Sequence, residues 1–397
     1  MTKKLSISFV LLLLLIMGTG SEAALRVQCP GDTDQDAQWT GAEVQPANTT
    51  CMHIVGSDGF AAMADGYPQY IFSFSNMTGV PIDQVSDTAE LNAQSPAPQI
   101  KVREGQDFYL TLSTVPMAMR PDLFDAHSVH WHGFPNATPY FDGEPMATVG
   151  IFPGASFSFY YKVPDPGTYA YHCHVEATEH MQMGMLGSLS VAPAQDGQSI
   201  GGFTQFAYND GDGTTGYDVE YPILITGFDP DFHDANLNVQ PLPFAAMDDR
   251  YMMLNGRGYP DTINTNPVGL TPPTRPDGTT GKISQTVNAL ITATSGQRVL
   301  LRIANLSSVH FSTITIPGIT MRVVGKDAKI LRGQGGTPLY YNTNTLTLGG
   351  GQTAEVLIDT AGLNGTYFLH TTKHPELSNR NEDFGGLMTE IVISNGN

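Results

Sequence analysis

From Tyr70 onward the chain is built of short runs in which apolar or β-branched residues alternate with polar ones. QYIFSFS, QIKVREG, DFYLTLS, SFSFYYKV and GSLSVA are separated by Gly, Pro and Asn. That is the pattern of strands with one buried face, joined by turns. Beyond APAQDGQSIGG (192–202), whose composition suits a linker, the same texture returns in YPILITGF, RVLLRIANL, TMRVVGK, AEVLIDT and MTEIVIS. No amphipathic helical run of useful length interrupts it. The pattern predicts an all-β protein of two sandwich- or barrel-like domains, with the first domain at 68–195, a linker at 196–220 and the second domain at 221–397.

The ends of the first domain carry different signals. Lys3 and Lys4 precede an apolar run from Ile7 to Met17 and a small, polar stretch ending Ser-Glu-Ala-Ala. This reads as an export signal over 1–24, too short to be a membrane span. Residues 25–67 are rich in Asp, Gly and Thr and read as an N-terminal extension, in which DTDQD (32–36) lacks the Gly and distal Glu of a calcium loop. Export, with a periplasmic or secreted destination, permits disulfides. Of three cysteines, Cys29 and Cys51 can pair, the alternative being a metal-ligand role beside His53. The net charge of −19 argues against nucleic acid and anionic membranes, and suits a basic redox partner, metal cations or simple solubility.

The third cysteine changes the picture. It lies in YHCHVEATEHMQMGM (171–185), which places His172, Cys173, His174, His180 and Met185 on one short segment, and HSVHWHG (127–133) lies upstream with His127, His130 and His132. One thiolate, two imidazoles and a thioether suit a metal that cycles between Cu(I) and Cu(II), because sulfur favours the first and nitrogen keeps the second accessible. Zinc is the competing occupant. The set is His127, Cys173, His180 and Met185. His130, His132, His172 and His174 form two H-x-H pairs, and alternation along a strand puts both members of each pair on one face, so the four can share a second metal site. Asp142, in FDGEP, reads either as a carboxylate behind that site or as a turn residue. Met181 and Met183 read as packing, and His53 and His233 as ordinary histidines.

A faint internal repeat sets PGTYAYHCH (166–174) beside NGTYFLHTT (364–372) and HSVHWH (127–132) beside HFSTIT (310–315). By that alignment the second domain carries degenerate metal motifs, with Thr313 and Thr315 in ligand positions, while His370 survives and His374 follows in a loop.

On these residues the chain resembles a two-domain, laccase-like multicopper oxidase with its blue copper in the first domain. The resemblance runs from APQIKVREGQDF through HWHG, FDGEP, PGTYAYHCH, the HxxxGM tail and YMMLNGRGYPDT to RVLLRIAN. It implies cupredoxin-like Greek-key sandwiches. It also implies type 1 copper on His127, Cys173, His180 and Met185, further type 2 or type 3 copper on His130, His132, His172 and His174, and Asp142 as the catalytic acid. A donor, whether a small reductant, a metal ion or a redox protein, would supply electrons to an acceptor such as O2. The resemblance extends to copper nitrite reductases, in which a neighbouring subunit completes the second site. His370 or His374 would then be that ligand, in a homotrimer. The alternative from another class is a blue-copper protein that only carries electrons.

Overall fold

The computed structural model describes residues 25–269 and 282–396; the expected export signal at 1–24 lies outside them. Among the described residues the longest helix is Pro230–Leu237, and no helix is long and apolar enough to cross a membrane.

The alternating runs form two four-stranded sheets facing one another. In the first sheet the strands are β1 (Thr49–Ala62), β2 (Pro68–Asn76), β4 (Asp107–Thr114) and β6 (Ser156–Lys162), in the order β2-β1-β4-β6. In the second they are β3 (Ala97–Arg103), β5 (His130–His132), β7 (Gly167–His172) and β8 (Leu186–Ala192), in the order β3-β8-β7-β5. β1 runs antiparallel to β2 but parallel to β4, so chain order and sheet order differ, as in a Greek key. Between the sheets Phe72, Phe108, Leu110, Trp131, Tyr161 and Val191 are buried in one core. Full burial of each such side chain contributes roughly 1.5–3 kcal/mol.

β1 lies in the segment that the sequence pattern leaves to an N-terminal extension. Its two faces both pack against protein, and it buries His53, Ser57 and Asp58 as well as Ile54 and Val55. It therefore has no polar-outside alternation to betray it. The Cys29–Cys51 disulfide forms, tying the chain before β1 to the strand itself.

The second sandwich has a nine-stranded and a five-stranded sheet. The nine-stranded sheet is centred on Val219–Phe228, Arg298–Asn305 and Thr353–Asp359, and the five-stranded one on Ser312–Thr315, Gly365–Thr371 and Met388–Ser394. Ile225, Leu301, Ile303, Val356, Leu369 and Ile391 share its core. The stretch expected as a linker contributes a small ribbon, Gln205–Phe206 against Gly216–Tyr217, and Tyr208 and Tyr217 are buried against Leu300, Val324 and Leu357.

The two sandwiches meet along β7. Thr168 N donates to Glu355 Oε1 at 2.6 Å, Thr353 Oγ1 donates to Thr168 O at 2.8 Å, and Ala170 and Leu186 pack on Leu224, Ala304 and Leu306. The strand that carries His172, and that Cys173 follows, is thus held against the second sandwich.

Candidate metal centres

Cys173 follows the wholly buried β7 and is itself buried. Its amide donates to Met185 O at 3.0 Å, and Met185 N donates to His180 O at 2.9 Å, so one tight loop gathers all three residues. Within that loop the short helix Ala177–Met183 carries His180 and ends at Gly184, whose φ of +118° favours glycine. His127 arrives from a neighbouring segment held to Ile151 by paired backbone bonds. Donor atoms of His127, Cys173 and His180 lie within 4.8 Å of one another, and Cys173 Sγ is 3.2 Å from His180 Nδ1. Ser128 N also points at Sγ, at 3.4 Å. The Met185 methyl and the His127 ring converge over Gly56, where a Cβ would stand 3.4 Å from Met185 Cε and 2.7 Å from His127 Cδ2.

This cluster is chemically unfinished. Both ring nitrogens of His127 and Nε2 of His180 are buried without a hydrogen-bond partner. Burial pushes the Cys173 thiol up to about 11, and His180 down to about 4; His127 is also lowered, by burial and then by His180. Unpartnered buried nitrogens are costly, by about 1–3 kcal/mol each. A cation among them would satisfy the imidazoles and stabilise the thiolate. The donor set therefore fits a soft or borderline metal.

The second group is built on strand alternation. In the β5·β7 ladder His130 pairs with His172, Trp131 with Tyr171 and His132 with Ala170. Trp131 turns into the core and stacks on Tyr161 at 3.8 Å, which puts His130 and His132 on the other face. Donor atoms of His130, His132 and His172 lie within 4.8 Å of one another. The His174 ring joins them with its centroid 5.0 Å from His130 and 5.7 Å from His172. His172 Nδ1 is tied to Cys173 O at 2.8 Å, leaving Nε2 to face His132 Nδ1 at 3.3 Å. Burial, the largest cause, pushes His172 down to about 3 and lowers His132. Asp142 stands behind this group: its carbonyl oxygen is 2.7 Å and its carboxylate 3.3 Å from His130 Nδ1. It can fix the ring so that Nε2 faces the cluster.

The four imidazoles line a cavity of about 490 Å³ whose opposite wall is the second sandwich, with Ser307, His310, Phe311, Gly350 and Gly351. His370 and His374 are not brought to it. His370 lines a separate cavity of about 590 Å³ among Tyr259, Pro317, Phe368, Phe384 and Met388, while His374 begins the turn His374–Leu377 and lines neither. The ladder explains the difference. His370 pairs with Thr315, whereas His172 pairs with His130. Relative to the adjoining C-terminal strands, His370 faces Met388 as His172 faces Leu186. Thr315 and Pro317 therefore stand where His130 and His132 do, and the alignment of HFSTIT with HSVHWH is displaced by two residues. His310, which sequence spacing places only at the start of a degenerate motif, is the histidine that the second sandwich presents to the cavity. It comes from a loop, and loop position carries no periodic signal.

His53 and His233 lie among interior hydrogen bonds, whereas Met181 lines the histidine cavity. His53 Nε2 is 2.8 Å from Ser113 Oγ, and His233 bridges Tyr70 O and Gln182 O, all within the interior. Met183 belongs to the first core, and Met181 packs beside Ala170 and Leu306.

The profile of the multicopper oxidase family matches residues 74–196 and 242–396 in two parts, and the chain belongs to that family. Copper resistance protein A of Pseudomonas syringae pv. tomato is 25% identical over 260 residues, covering 61% of this chain and 38% of that protein. Multicopper oxidase MCE of Talaromyces pinophilus is 33% identical over 120 residues, 30% of this chain and 18% of that one. The chain thus spans well under half the length of these relatives. Among solved structures, the blue copper oxidase of Nitrosomonas europaea matches 87% of this chain and 86% of its own, at 21% identity and a TM-score of 0.62. The copper nitrite reductase of the same organism matches 87% and 94%, at 15% identity and a TM-score of 0.55. At these identities the likeness concerns the fold, and it is that of all-β, cupredoxin-like Greek-key sandwiches.

Proposed function

We propose that the chain is an exported copper oxidoreductase that takes electrons from a donor at one centre and delivers them to O2 at another. His127, Cys173, His180 and Met185 would hold type 1 copper. His130, His132, His172 and His174 would hold the further copper. Copper, when bound, supplies one-electron redox chemistry at both places. One observation carries the reading: Cys173 belongs to the first donor group while its covalent neighbour His172 belongs to the second. The Cys173 carbonyl is also hydrogen-bonded by His172 Nδ1, so the two centres share a rigid, bonded path. Export is supported by the Cys29–Cys51 disulfide, which persists in an oxidising compartment.

The protein's own residues have separable tasks. Burial around His127 and Cys173 excludes water from the first centre. Asp142 orients His130, and its carboxyl, raised above the usual range by burial, stands beside the histidine cavity as a proton source. The second sandwich closes the cavity. Copper loading should give an intense blue band that Cys173→Ser abolishes. His174→Ala should keep the band but lower oxygen consumption at least tenfold. A blue Cys173→Ser protein, or full oxygen consumption in His174→Ala, would sink the respective half of the proposal.

A second reading has a specific observation in its favour. His370 Nδ1 is 2.8 Å from Thr371 O, just as His172 Nδ1 is 2.8 Å from Cys173 O. The ring is held as a ligand's ring is held, in a cavity remote from its own chain's cluster. In a homotrimer it would complete a neighbour's second site, as expected of a nitrite-reductase-like enzyme. His370→Ala would then lower copper per assembled chain, and sedimentation would show the trimer.

A further inference from the structure

We infer that Asp249 is a positioning residue of the histidine cavity: it ties the helix that carries His180 to the loop 306–311 that walls the cavity, and so fixes His310. The inference rests on the reading of that cavity as the place where the acceptor is reduced. Asp249 is buried, and each of its carboxylate oxygens takes one hydrogen bond. Oδ1 accepts from Gln182 Nε2 at 2.8 Å, and Oδ2 accepts from Ser307 Oγ at 2.8 Å. Gln182 lies on the helix of the first centre, between His180 and Met185, whereas Ser307 and His310 line the histidine cavity.

Every bond of this strut has a fixed direction. Gln182 Oε1 accepts from Asp229 N at 3.0 Å, so Nε2 is the end turned to Asp249. Ser307 Oγ accepts from His310 N at 3.0 Å and from Val309 N at 3.4 Å, which leaves the hydroxyl proton for Asp249. Two donors thus converge on one side chain, and a carboxylate answers both. Gly227 makes room for it, because a Cβ there would collide with the Asp249 carboxylate.

The loop depends on this tether. Its base is held by Asn305, whose Oδ1 accepts from Ser307 N at 2.9 Å and whose Nδ2 donates to Leu348 O at 2.8 Å and reaches His310 O at 3.4 Å. Beyond Ser307 it turns outward, with Val309 and Phe311 exposed, so the buried Ser307 hydroxyl is its inner anchor. The neighbouring Asp248 faces the His310 ring, its Oδ1 lying 3.9 Å from Nε2. Asp248 and Asp249 therefore address the ring and the backbone of the histidine that the second sandwich presents to the cluster. Through Gln182 the wall of the cavity is also registered to the loop of the first centre, a link separate from the Cys173–His172 backbone.

Ser307→Ala removes the hydroxyl without adding volume. Asp249→Asn keeps an acceptor for Gln182 but leaves the Ser307 proton without one. In the copper-loaded full chain, hydrogen exchange at the Val309 and His310 amides should quicken about tenfold in both variants. The amides of 177–183 and of the core strand Arg298–Asn305 should keep their rates. Copper per chain and the blue band should be kept, and the KM for O2 should rise severalfold with a smaller change in kcat. Unchanged exchange at His310 or an unchanged KM would overturn the inference. So would faster exchange throughout Arg298–Asn305, the mark of general destabilisation, or loss of copper, which would make the loop part of the ligand set. A copper-loaded unmodified chain that consumes no O2 would instead overturn the reading of the cavity, and the exchange rates would still decide whether Asp249 holds the loop.

Discussion

Gly56 shows how narrowly a single residue governs the first centre. It lies on β1, in a strand whose neighbours pack on both faces, and its missing side chain is the space that the His127 ring and the Met185 methyl occupy. Adding one methyl at 2.7 Å from His127 Cδ2 forces the ring to move, because nothing around it is exposed. Overpacking of this kind costs about 1–3 kcal/mol. Gly56→Ala is expected to destabilise the protein by that amount and to shift or weaken the blue band, with absorption and chemical denaturation as the measurements. A variant with an unaltered spectrum would show that Met185 and His127 are not held against the same metal. The four residues assigned to this centre were legible from ligand chemistry and loop spacing. Gly56 was not, since a close approach across two strands leaves no mark in the chain order.

At the scale of elements, the strands whose one face meets solvent were legible and β1 was not. In QIKVREG the exposed Lys101 and Arg103 alternate with buried Ile100 and Val102, as the pattern requires. In β1 buried Ser57 and Asp58 erase it, and Asp58 is accommodated by donors from Ala118 N, Met119 N and Tyr70 Oη. Likewise Thr315 and Pro317 occupy the ligand positions of the second sandwich, a register that only strand pairing reveals. The disulfide acts on this same β1. Cys29 and Cys51 are separated by 22 residues, and a loop of that length removes about 3 kcal/mol of unfolded-state entropy when closed. Cys29→Ser/Cys51→Ser should lose close to that stability in denaturant titrations. Its blue band should persist, because Cys51 is buried with Val27, Cys29 and Ala37, away from the cluster that contains Cys173 and Met185.

For the molecule as a whole, the second sandwich matters to the histidine cluster less as a source of ligands than as its lid. The turn that follows Thr345–Leu348 brings Gly351 over the cavity, where a Cβ would stand 2.5 Å from His132 Nε2, and Gly351 has a φ of +84°. Both facts oppose any larger residue, the first by collision and the second by backbone strain. Gly351→Ala therefore pushes either the turn away or His132 out of line with His130 and His172. Because His127, Cys173 and His180 take no part in that contact, the blue centre is insulated from it. The expected outcome is a protein that keeps its blue band, loses copper from the histidine cluster and consumes oxygen more slowly, read by copper analysis, EPR and oxygen uptake. Gly56→Ala and Gly351→Ala should thus damage opposite ends of the path through Cys173. If Gly351→Ala instead bleached the blue band and spared the cluster's copper, the second sandwich would not be closing the histidine site, and the division of labour between the two centres would have to be reversed.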